Sequence, residues 1–109
     1  MKIKLMSDIH NEFGQFIYVP DAYTKETVLV LAGDIDLWGR NTSEYTDFIL
    51  EMASEFYHVV FIAGNHEFYE GDIQLDSDMM RDWADNFENI HFLDNDTVKI
   101  DDVNFIGST

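Results

Sequence analysis

Residues 59–69 read VVFIAGNHEFY. Val59, Val60, Phe61 and Ile62 form an apolar run that stops at Ala63-Gly64, and Asn65, His66 and Glu67 follow at once. The run is too short for a helix and is β-branched and aromatic, so Val59 to Ala63 is predicted to be a strand covered on both faces. Gly-Asn is a common turn dipeptide. A turn alone gives no reason for an imidazole and a carboxylate to come next. Two earlier stretches share the pattern: Lys2 to Met6 alternate and stop at SDIHNE (7–12), and Val28 to Ala32 run apolar and stop at GDID (33–36).

Between these strands the apolar spacing changes. Tyr45, Phe48, Ile49, Met52, Ala53 and Phe56 recur every three or four positions, the stripe of an amphipathic helix. Asn41, with Glu44 three positions on, is its expected N-cap. Met79, Met80, Trp83, Ala84 and Phe87 mark a second stripe, read as core. Residues 11–26 hold the single proline, Pro20, and are predicted to be a loop. From Ile90 onward short alternating runs are broken by DND and DD, which suggests strands with tight turns. Strand, loop, strand, helix, strand, helix, strand predicts an α/β fold: a mainly parallel sheet with flanking helices and a hairpin-like tail. No repeat or linker divides the 109 residues, so residues 1–109 are read as a single domain.

Six Lys and Arg against 22 Asp and Glu give a net charge of −16. Such a chain is repelled by nucleic acid and by anionic membranes, so nucleic acid is excluded as a partner except as a substrate. Its carboxylates solvate the surface, bind divalent cations or imitate nucleic acid toward a basic partner. There is no cysteine, which excludes disulfides and thiolate metal sites. No apolar stretch approaches the length of a membrane span, and a cytoplasmic location is the expectation.

In an open parallel sheet the C-terminal strand ends share one edge, where ligands bind. Asp8 and His10, Asp34 and Asp36, and Asn65 and His66 would then converge. Carboxylate, imidazole and amide oxygen suit Mn, Fe, Zn, Ni or Mg. An extended backbone at Asp8-Ile9-His10 would turn both polar side chains to one side. A carboxylate such as Asp34 is of the type that bridges two metals about 3.5–4 Å apart. Gly33 and Gly64 would allow sharp turns beneath them. Each fragment alone is an ordinary turn; all three in order at strand ends point to a metal site.

These blocks, Asp8-x-His10, Gly33-Asp34 and Gly64-Asn65-His66-Glu67, together with the closing FIGST, resemble the calcineurin-like metallophosphoesterases, particularly bacterial and phage-type members, over nearly the whole chain. The resemblance implies the N-terminal half of an αββα sandwich that hydrolyses phosphomonoesters or phosphodiesters by a metal-bound hydroxide at a two-metal site. It implies Asp8 and His10 on the first metal, Asp34 bridging both, Asn65 on the second, and His66 catalytic beside the scissile phosphate. Glu67 would orient its neighbours. Family members carry a further His and a Gly-His-x-His block that residues 1–109 lack. Hence the expectation of a C-terminally truncated domain that is nearly inactive by itself and self-associates or needs a complementing C-terminal segment. His58, before a strand at the opposite edge, and His91, inside an alternating strand, are expected to be structural or exposed. The competing readings are a non-catalytic remnant and an acidic mimic of nucleic acid.

Overall fold

A computed structural model describes residues 1–69 and 71–108. Its elements are β1 (Lys2–Met6), β2 (Thr27–Ala32), α1 (Thr42–Glu55), β3 (His58–Ile62), α2 (Ile73–Ala84), β4 (Ile90–Phe92), β5 (Asp96–Ile100) and β6 (Val103–Gly107). The first four strands make one parallel sheet in the order β1-β2-β3-β4, and β5 and β6 pair as an antiparallel hairpin. The mainly parallel α/β architecture and its hairpin tail are as the strand and helix patterns predict.

The pleat explains the layering, because alternate residues of a strand face opposite sides. Leu29 and Leu31, Val59 and Phe61, and Ile90 and Phe92 share one face. They pack with Tyr45, Phe48, Ile49 and Met52 of α1 and with Met80 and Ala84 of α2 in the main core. Val28 and Val60 take the other face, against Leu93 and Ile100 under the hairpin. β2 is thus covered on both sides, while β1 is an exposed edge strand.

Several local expectations need correcting. Asn41 stands at the N-cap of α1 but makes no capping bond, because its Nδ2 is drawn to Asp36 Oδ1 (2.8 Å). α2 starts at Ile73, ahead of its apolar stripe, because Asp72 caps it by accepting from the Leu75 amide (2.8 Å). Met79 is exposed on that helix, and Phe87 lies beyond its end. The predicted loop 11–26 contains two short 3₁₀ turns, Asn11–Phe13 and Thr24–Glu26.

β3 begins at His58 and ends at Ile62, one residue earlier than predicted. His58 therefore faces the same side as His91 of β4, and their Nδ1 and Nε2 atoms lie 2.9 Å apart in stacked rings. Burial holds both imidazoles below their ordinary range. The Asp101 carboxylate, which also accepts from the Tyr57 hydroxyl, pulls His58 partly back, and His58 pushes His91 further down. The unfolded chain therefore binds protons more tightly than the folded one. The pair's contribution to stability is complete above the ordinary histidine value of about 6.5 and is lost as pH falls below it. Urea titrations between pH 7 and 5 are expected to show a shallower decline of stability for His91→Gln than for the parent. Identical slopes would mean that the pair is not coupled to folding.

Candidate metal centre

The parallel sheet puts the C-terminal ends of β1, β2 and β3 on one edge. Beyond it the first two loops run side by side: the amides of Asp8, His10 and Asn11 donate to the carbonyls of Gly33 (3.1 Å), Asp34 (2.9 Å) and Ile35 (2.6 Å). The extended backbone expected at Asp8-Ile9-His10 is not what the structure shows. Asp8 (φ 55°), His10 (φ 51°) and Asp34 (φ 54°) are all left-handed. Among the described residues only Asn95 and Asp101 join them as non-glycine residues with positive φ. The conformation costs about 1–3 kcal/mol per residue and concentrates at functional sites. Here it folds the two loops so that Asp8 Oδ1 lies 3.6 Å from His10 Nε2.

The loops after β2 and β3 meet backbone to backbone. A Cβ on Gly64 would fall 2.3 Å from Asp34 Oδ1 and 2.8 Å from the Asp34 nitrogen, so no larger residue fits. Glu67, 0% exposed, fastens this junction. Its Oε1 accepts from the amides of Asp34 (2.9 Å) and Gly64 (2.8 Å). Its Oε2 accepts from the Ile35 amide (2.9 Å) and the Tyr45 hydroxyl (2.9 Å). Burial pushes the Glu67 carboxyl up, and these donors pull it back. Burial and the Glu67 charge drive the Tyr45 hydroxyl well above its usual range, so it remains a donor. Among the described residues, Glu67 accepts all four hydrogen bonds at its carboxylate oxygens from donors, which favours the ionised form that burial opposes. It orients the strand ends and is turned away from the open edge.

The arrangement brings Asp8, His10 and Asp34 together: each offers a ligand atom, and the three atoms lie within 4.8 Å of one another. Two carboxylates and an imidazole at that spacing fit a divalent ion of the Mn, Fe, Zn or Ni type. Ser7 donates to Asp8 Oδ2 (2.7 Å), which holds the Asp8 carboxyl below its usual range. Asp34 Oδ1 also accepts from the His66 amide (2.9 Å). The Asn65 amide lies between Asp34 and Tyr69. All its bonds are satisfied when its nitrogen donates to Asp34 (3.1 and 3.2 Å) and its oxygen accepts from the Tyr69 hydroxyl (3.1 Å). Rotation about its last bond would turn that oxygen toward a cation beside Asp34. Asp36 does not join the cluster. It is buried and accepts from the Leu37 amide (2.6 Å) and Asn41 Nδ2 (2.8 Å).

One residue of the cluster was not singled out from the sequence. Glu12 Oε1 lies 3.2 Å from His10 Nδ1 and 2.9 Å from His66 Nδ1, so one carboxylate oxygen serves both rings. The rings themselves are 4.4 Å apart, and His66 stacks on Tyr69 at the same separation. Burial works to raise the Glu12 carboxyl, but its own backbone amide and the two imidazoles outweigh it and hold the group below its ordinary range. The alternation Asp8-x-His10-x-Glu12 was the available signal.

A family model described as calcineurin-like phosphoesterase matches residues 1–107. No curated protein and no solved structure matches the chain.

Proposed function

The chain belongs to the calcineurin-like phosphoesterases, and from that premise we propose that residues 1–109 form a single domain supplying part of a two-metal phosphoesterase site. Hydrolysis of a phosphomonoester or phosphodiester is the reaction. The observation that carries this is the convergence of Asp8, His10 and Asp34 on one sheet edge, all three in left-handed backbone. These residues would hold a first divalent ion, with Asp34 shared by a second ion that Asn65 also binds. Bound ions of this kind polarise phosphoryl oxygens and lower the pKa of water.

His66 supplies the proton that the leaving oxygen needs. Its ring lies against that of His10, and its backbone amide is held by Asp34. Glu67 keeps the loops from drifting while charge moves across the site. The net charge of −16 favours small phosphate esters over polyanions. No helix among the described residues is long and apolar enough to cross a membrane. A cytoplasmic setting suits this chemistry.

Three ligands serve the first ion and only Asp34 and Asn65 serve the second, so residues 1–109 alone are expected to turn over little. A C-terminal segment bearing a Gly-His-x-His block, or self-association, would complete the site. Hydrolysis of bis(4-nitrophenyl) phosphate in Mn²⁺ tests this. Near-zero turnover by residues 1–109 and clear turnover after the segment is supplied are expected. Robust turnover by residues 1–109 alone would show that the second site is not ligand-poor, and none with the segment would contradict the phosphoesterase assignment.

A further inference from the structure

Glu12 occupies an unusual place for a carboxylate. Its side chain is only 8% exposed, and the side-chain partners of Oε1 are the His10 and His66 rings. Its other oxygen, Oε2, is buried without a partner among the described residues. Removing a carboxylate from water costs several kcal/mol in proteins, and an apolar residue of similar volume is often at least as stabilising. The fold gains little from Glu12; the two imidazoles gain a fixed orientation.

The distances define what that orientation is. Both rings turn Nδ1 toward Glu12, so a neutral ring bonded there carries its proton on Nδ1 and leaves Nε2 bare. On His10 the bare Nε2 is the nitrogen that faces Asp8, 3.6 Å away. A histidine that binds metal through one nitrogen commonly donates its other N–H to a carboxylate, which sets the tautomer and raises ligand basicity. On His66 the same bond leaves Nε2 toward substrate, and a proton taken up there gives an imidazolium that can pass it to the leaving oxygen while Nδ1–H stays on Glu12.

We propose that Glu12 is a positioning residue that sets the tautomer of His10 and His66 together, through one shared oxygen, tying metal affinity to proton transfer. This rests on the phosphoesterase reading for what the two rings do, but the tautomers themselves do not. Leu or Ala at position 12 would leave both rings free to rotate or to protonate at Nε2.

Nitrogen-15 NMR of the imidazoles in metal-free protein separates the two claims. In the parent chain above pH 7, His10 and His66 are expected to be Nδ1–H tautomers. Glu12→Gln keeps an acceptor oxygen and is expected to retain this for at least one ring, whereas Glu12→Ala shifts both toward Nε2–H. Mn²⁺ titration of the same samples should show affinity about 10–100-fold weaker in Glu12→Ala, the usual cost of losing such an outer partner. If Glu12→Ala does not fold, the parent and Gln spectra still decide. Nε2–H rings in the parent, or identical spectra in Ala and parent, would overturn the proposal. Glu12-dependent tautomers in a chain that binds no Mn²⁺ would uphold the positioning role and sink the metal assignment.

Discussion

Glu67→Ala is expected to destabilise the fold by about 3–5 kcal/mol, read as a fall in the urea midpoint. The deleted carboxylate leaves the amides of Asp34, Ile35 and Gly64 and the hydroxyl of Tyr45 without an acceptor, in a site closed to water. Each unsatisfied buried donor costs about 1–3 kcal/mol, and relaxation of the loops recovers part of the sum. Glu67→Gln keeps one oxygen but sets an NH₂ group against two donors, so it is expected to fall between Ala and the parent. Both variants should also loosen Asp34, whose amide Glu67 holds. A cost below about 1 kcal/mol for Ala would mean that water or another acceptor replaces the carboxylate, since that is the range of ordinary surface changes.

His66→Ala is expected to lower phosphodiester turnover by about 10²-fold or more in protein complemented to activity, the loss typical of a missing general acid. Its ring touches His10, Glu12 and Tyr69; it stands outside the Asp8, His10 and Asp34 group, and its Nδ1, which with His10 and Glu12 makes a second set of possible ligand atoms, is engaged by Glu12. Mn²⁺ content should therefore change little. A loss of bound metal equal to the loss of turnover would reassign His66 as a ligand, and unchanged turnover would reduce it to a turn residue.

The strands and the edge were legible because burial on two faces leaves unbroken apolar runs, as in Val28–Leu31 and Val59–Phe61, and because parallel pairing carries every run's end to one side. Glu12 was legible only as the third member of the Asp8-x-His10-x-Glu12 alternation. Its carboxylate meets His66 across 54 positions of chain, and no local period encodes that contact. Nor did spacing reveal the left-handed turns at Asp8 and His10, which depend on the neighbouring loop's carbonyls. Asp36 was placed at the right edge but on the wrong side of its loop, because Leu37 and Asn41 offer it donors. His58 and His91 met diagonally across a strand pair whose register only the folded sheet defines.

Calorimetric titration of Mn²⁺ into residues 1–109 and into Asp34→Gly tests the metal centre most directly. Glycine accepts the φ of 54° at position 34 without strain, so the variant removes the carboxylate and little else from the backbone. One ion per chain is expected in the parent, with affinity at least about tenfold weaker in Asp34→Gly at unchanged circular dichroism. Equal affinity in the two proteins would show that the ion does not bind where Asp8, His10 and Asp34 converge.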